Sequence, residues 1–149
     1  MNQKHLIPAS LLGTLGMTLY SHWRSRREGA EYREHVLLDG LSSSTGQPSS
    51  AGTSRGWALH CIIGLIVANI YNAVWKSQNK APSLKRGAVA GAVAGPLAVL
   101  AWQVLFSAYP QPPRTPRLQF YRQLVIGHII FGTIVGSAGA WAKKRLPDR

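Results

Sequence analysis

The amino-acid sequence predicts an all-α integral membrane protein of four transmembrane helices, arranged as two helical hairpins and packed through glycine. Three observations carry this expectation. First, four stretches hold no Asp, Glu, Lys or Arg: residues 5–23, 56–75, 87–109 and 123–142. A spanning helix needs about 20 mostly apolar residues, whereas a helix of a soluble bundle carries charge on its outer face every few positions. Second, small residues recur at four-residue spacing, at Gly64 and Ala68, at Gly87, Gly91 and Gly95, and at Gly132, Gly136 and Ala140. That spacing lets two helix backbones approach closely. Third, "HCIIGLIV" from His60 and "HIIFGTIV" from His128 share the pattern His-x3-Gly-x-Ile-Val, the mark of a duplicated two-helix unit.

The first element, residues 5–23, reads "HLIPASLLGTLGMTLYSHW". Lys4 gives it a positive start, Pro8 falls in the first turns where a helix tolerates proline, and no small-x-small cleavage pattern follows closely. It is read as an uncleaved span. Residues 24–55 form an outer loop. Its first part holds four of the five acidic residues, and Tyr32, Val36, Leu37 and Leu41 can form one apolar side of a short helix, either interfacial or part of a solvated loop. Residues 42–54, "SSSTGQPSSAGTS", have the composition of a flexible linker.

The second span, 56–75, is bracketed by Trp57 and Trp75, as an aromatic belt would place them. A short basic loop, "KSQNKAPSLKR", leads to the glycine-rich third span, in which Gly95-Pro96 predicts a bend and Gln103 a buried hydrogen-bonding group; Asn69 and Asn72 offer the same on the second. "PQPPRTPR" ends the third span, because proline cannot continue a helix. The fourth span is flanked by Tyr121 and Trp141.

The whole 149-residue chain is read as a single membrane domain. Its net charge of +12 suits an anionic membrane. The 17 basic residues lie in clusters between spans, with no single stripe carrying stacking aromatics, which argues against nucleic acid. One cysteine, Cys61, leaves no internal disulfide and no multi-cysteine metal site. The expected partners are membrane lipids and, through the same small-residue stripes, a second copy or another membrane protein; no cofactor is expected. With the N-terminus inside, nine basic residues lie inside and eight outside, but all six lysines are inside. Both termini are therefore expected in the cytoplasm.

"GWALHCIIGLIVANIY", "LKRGAVAGAVAG", "PQPP" and "FYRQLVIGHIIFG", in that order, resemble the YagU-type family of small bacterial inner-membrane proteins. The likeness covers roughly residues 56–142, and the region before Gly56 departs from it. The resemblance implies a multi-span inner-membrane protein with its N-terminus inside, of unsettled biochemical role and loosely associated with acid tolerance. It supplies no catalytic residues.

The candidate polar pair is His60 and His128. A histidine inside a membrane is costly when unpaired and is a functional candidate for that reason. It can hold two hairpins in register by a hydrogen bond, respond to pH near its ordinary value of about 6.5, or bind metal, for which His22, His35, Glu31 or Glu34 would have to complete the site. "EYREH" places Glu31, Glu34 and His35 on one helical face. Gly64, Gly87, Gly91, Gly95, Gly132 and Gly136 are the expected packing positions. No Ser/His/Asp set, phosphate loop or spanning carboxylate is present, so an enzyme is not expected. The leading expectation is a structural or accessory membrane protein. The alternative is a pH-responsive, transport or sensing module built on His60 and His128. Tight packing throughout would favour the first, and a cavity with polar groups the second.

Overall fold

A computed structural model describes residues 2–42 and 53–145. These form five α-helices and no strand: α1 (Gln3–Glu28), α2 (Glu34–Ser42), α3 (Ser54–Ser77), α4 (Leu84–Ala108) and α5 (Arg117–Arg145). Most of the linker expected at 42–54 lies outside the described residues. Of its end, Thr53 precedes α3 and its hydroxyl donates to Asp39.

Three of the helices, α3, α4 and α5, are long and apolar enough to cross a membrane. The fourth expected span falls short. Helix α1 has the length, but the stretch chosen for its lack of charge also carries His5, Ser10, Thr14, Thr18, Ser21 and His22, which lower its mean hydropathy. These polar residues are not scattered. Ser10, Thr14, Thr18 and Ser21 are buried against the other helices, while Ile7, Leu11, Leu12, Leu15 and Leu19 face outward, about half exposed. The hydroxyls of the helix thus face the bundle beside Leu6, Ala9 and Met17, and its other large aliphatic side chains face outward.

Helix α1 ends where Gly29 takes a left-handed conformation, φ 63°, which glycine adopts without a Cβ clash. The chain then turns back. Tyr32 N–H donates to Ser25 Oγ at 2.9 Å, and the Thr115 hydroxyl donates to the Glu31 carbonyl at 2.7 Å. These bonds hold the start of α2 beside the α4–α5 turn. Tyr32, Val36, Leu37 and Leu41 are all buried, so the apolar side read from the sequence is real and faces the bundle. Glu31 lies before α2 and pairs with Arg33 at 2.6 Å. It therefore does not share a helical face with Glu34 and His35, because the helix starts only at Glu34.

Helices α4 and α5 pack most intimately, α5 also packs along α1, and α3 rests on α1 and α2. The α4–α5 contact is backbone on backbone. A Cβ on Gly87 would strike the Gly132 carbonyl oxygen, one on Gly132 would strike the Gly87 carbonyl oxygen, one on Gly91 the His128 carbonyl oxygen, and one on Gly136 the Ser83 carbonyl oxygen. On Gly95 it would meet Val125 Cα at 2.9 Å. At such separations Cα–H groups reach facing carbonyls and dispersion contacts multiply. Gly64 instead receives Thr14 of α1. An aromatic cluster closes the other end of the same pair, with Trp102 and Phe120 ring centroids 5.0 Å apart.

Helix α4 runs unbroken through Pro96. Gln103 is exposed, not buried, since it points away from α5. Trp75 is buried beside Tyr71 and does not form part of an outward aromatic belt, whereas Trp57 is partly exposed and stacks on His35 at 4.1 Å.

Candidate functional site

Consecutive helices normally pack together, but α3 and α4 do not. Each is held by a different partner, α3 by α1 and α2, α4 by α5. A cavity of about 890 Å³ opens between them, floored by α1 and α5. Its sides are aliphatic, with Ile63, Val67 and Ile70 from α3 and Val89, Val93 and Leu97 from α4. At one end Glu34 and Leu38 of α2 contribute to the wall, with His60 close to His35 of α2, while Thr14 and His128 stand along the wall between the ends. At the other end stand Lys80, Lys85 and Arg86.

The sequence-predicted histidines are thus brought to one cavity. His60, in the second turn of α3, is buried, and its Nε2 lies 3.2 Å from Thr18 Oγ1. His128, in the fourth turn of α5, lies with Nδ1 2.9 Å from the Leu124 carbonyl and donates to it. The depths are close, because α1 links them. Thr18 bonds His60, while its neighbour Met17 lies against Gly127, where an added Cβ would come within 3.1 Å of Met17 Cγ. His35 of α2 completes the group, its ring 6.3 Å from that of His60.

Glu34, named from the sequence only as a possible metal ligand, has a setting that the sequence reading did not anticipate. It is buried, 2% exposed. Its carboxyl oxygens lie 2.8 and 2.7 Å from Ser21 Oγ, and one of them accepts from Gln123 Nε2 at 2.7 Å. The second amide hydrogen of Gln123 goes to the Tyr32 carbonyl at 3.1 Å. Three helices therefore converge on one carboxyl. Its hydrogen-bond partners, Ser21 and Gln123, are neutral groups, whereas Glu28 pairs with Arg24 and Glu31 with Arg33. Burial pushes its carboxyl up to about 7, against the opposing effect of the bonds from Ser21, its own backbone and Gln123, and with a further upward push from Glu31. Glu31 goes the other way: burial raises it, but the bonds and charge of Arg33 outweigh that and hold it below the ordinary range.

The sequence did carry a signal for Glu34. On α2, residues 34, 37, 38 and 41 fall on one face, so the carboxyl shares a side with three buried leucines. As for metal, no three His, Cys, Asp or Glu side chains among the described residues converge to hold an ion: His35 stacks on Trp57, Glu31 is taken by Arg33, and Glu34 by Ser21 and Gln123.

Two further polar groups face the cavity. The Tyr71 hydroxyl and Thr14 Oγ1 are buried with no hydrogen-bond partner among the described residues. The site thus combines a large apolar volume, a buried neutral-range acid at one end, two histidines and unused hydroxyls on its wall and a cationic opening at the other end. No family model, curated protein or solved structure matches the chain.

Proposed function

We propose that this chain is a pH-responsive sensing or transport module of a bacterial inner membrane, in which the proton on Glu34 controls how firmly α2 closes the end of the α3–α4 cavity. The observation that carries this reading is the Glu34 carboxyl itself, buried and bonded by the neutral groups of Ser21 of α1 and Gln123 of α5. A neutral carboxyl fits that setting. An ionised one is opposed by desolvation, so deprotonation favours states in which α2 moves away and water reaches Glu34. Charged and titratable groups in this part of the bundle include Glu31 and Arg33 before α2, His35 and Asp39 on α2, Arg55 and His60 on α3, His128 on α5 and the Arg24–Glu28 pair on α1.

The wider setting belongs to the same proposal. Helix α1 crosses beside the other three, both termini lie in the cytoplasm, membrane lipids surround the bundle, and no catalytic step is assigned. The order of motifs from Gly56 onward supports a YagU-type relationship, and a role in acid tolerance would suit a carboxyl that titrates near neutrality.

The test is amide hydrogen exchange in α2, corrected for intrinsic rate, measured in detergent from about pH 5 to pH 9. Protection of α2 should fall as pH rises through about 7 in the wild type and stay level in Glu34→Gln. Equal profiles in the two proteins would refute the reading. A second reading, a structural or accessory protein, is favoured by the backbone contact between α4 and α5, which is built for rigidity and not for movement.

A further inference from the structure

We infer that the α3–α4 cavity is a site for an anionic phospholipid, with the headgroup phosphate at Lys80, Lys85 and Arg86 and an acyl chain between the two helices. The observations are independent of Glu34. The cavity sides are aliphatic and exposed: Ile70, Val74, Val93 and Leu97 are between 45% and 61% accessible. From Arg86 to Leu105 the lining follows α4 for almost its whole length, about 28 Å at 1.5 Å per residue, close to the thickness of a bilayer's hydrocarbon core. A void of this size falls within the range of small-molecule sites, and α3 and α4 leave it open to the side where lipid would enter.

Charge selects the occupant. Lys80, Lys85 and Arg86 are exposed and line the opening. The described acids, Glu28, Glu31, Glu34 and Asp39, all lie between the end of α1 and the start of α3, at the far end of the bundle. Lys4, Lys76, Lys143, Lys144 and Arg145 add to the same basic end. Helix α4 also begins there, at Leu84, and its N-terminal dipole favours an anion. Deeper along α3, the Tyr71 hydroxyl is buried, faces the cavity and has no partner among the described residues. It lies about two turns from Gln78, where a donor can meet the ester oxygens below a phosphate. A zwitterionic lipid would fill the aliphatic space equally well but would gain less from the cations.

Native mass spectrometry of the full chain in mild detergent, with added phosphatidylglycerol or phosphatidylcholine, tests this. Each basic residue beside an anionic group contributes roughly fivefold in affinity. The wild type should therefore hold phosphatidylglycerol at least about tenfold more tightly than phosphatidylcholine. Lys80→Gln/Lys85→Gln/Arg86→Gln should bind the two lipids alike. Val93→Trp/Leu97→Trp, which fills the groove and leaves the cations, should bind neither. Val93 and Leu97 are exposed, and melting without added lipid checks that each variant is folded. Glu34→Gln should leave the lipid preference unchanged, which separates this site from the proposed pH response. Equal binding of both lipids by the wild type overturns the inference. So does a preference that survives Val93→Trp/Leu97→Trp, which assigns it to the basic surface alone, and so does a dimer that those tryptophans dissociate, which assigns the groove to a second copy.

Discussion

The Ser21 hydroxyl lies 2.7 and 2.8 Å from the two oxygens of Glu34 and 3.0 Å from the carbonyl oxygen of Met17. It has one proton for three acceptors. When Glu34 is neutral, its carboxyl donates to Ser21 Oγ and Ser21 donates to Met17. When Glu34 is ionised, Ser21 must turn its proton to the carboxylate and leave the Met17 carbonyl. The protonation state of one side chain thus sets the hydrogen-bond direction between α2 and α1.

The stability consequence has a definite sign. Glu34 titrates near about 7 when folded and near 4.5 otherwise. Between those values the folded chain holds a proton that the unfolded chain has released, so stability falls as pH rises through this window. The contribution is complete below about 4.5, is lost as pH rises through about 7, and amounts to something on the order of 3 kcal/mol. Glu34→Gln keeps the neutral shape and should flatten the curve, matching the wild type in acid and exceeding it above neutrality. Thermal melts in detergent across that range check this; parallel curves would show that Glu34 does not titrate in a buried site.

The donors to Glu34 can be separated from its burial. Ser21→Ala and Gln123→Leu each remove a group that favours the ionised carboxyl. Both should move its titration further upward, read from the infrared carbonyl band of the neutral acid. Gln123→Leu should also lower stability, by about 1–3 kcal/mol, because the buried Tyr32 carbonyl loses its donor. A downward move in either variant would contradict the assignment.

How much of this was legible in the sequence depends on the range of the interaction. Gaps in charge located α3, α4 and α5 directly, because a span is a property of consecutive residues. The stripe at Gly87, Gly91 and Gly95 named its own use, since four-residue spacing puts small residues on one helical face. The same local logic fails for α1, because absence of charge is not apolarity and its buried hydroxyls lower its mean hydropathy. The buried setting of Glu34 was hidden for a different reason. Its partners are 13 and 89 residues away, and only the assembled bundle brings them together. The cavity between α3 and α4 was equally hidden, because a short loop suggests packed neighbours and nothing local says that each helix will prefer another partner.

His60 and Thr18 form a buried pair whose worth can be isolated. Thr18→Val keeps the shape of the threonine and leaves His60 Nε2 without this partner, at a cost of about 1–3 kcal/mol. His60→Leu alone should cost a similar amount. The double variant should be less damaged than the sum, because no polar atom of the pair is then left buried. Additive losses in a double-mutant cycle would mean that water satisfies both groups.

Gly87 and Gly132 offer a second cycle with opposite causes. A Cβ on either would strike the carbonyl oxygen of the other, so relief requires the backbones of α4 and α5 to separate. Each alanine substitution should lower stability by about 1–3 kcal/mol. Once the helices have parted for one methyl, the second meets less resistance, and the double variant should again lose less than the sum. Unaltered melting of Gly132→Ala would show that this face is not a contact in the membrane.

The proposed crossing of α1 rests on its neighbour α5. Along its length α1 lies against α5: Gly127 meets Met17, Gly13 meets Phe131 and Val135, and Gly16 meets Ile134. Residues 127–135 fall within a helix long and apolar enough to span. A helix in side-by-side contact with that stretch would share its depth, and the outward leucines of α1 would give it a lipid-compatible surface. The low mean hydropathy of α1 is no obstacle, because its hydroxyls are turned to protein. Reporter fusions at Gly29, Asn79 and Gln111 should therefore report outside, inside and outside, with the N-terminus inside. If Gly29 reports the same side as the N-terminus while Asn79 and Gln111 still differ, α1 does not cross, and its contact with α5 must form by some arrangement other than a four-helix span.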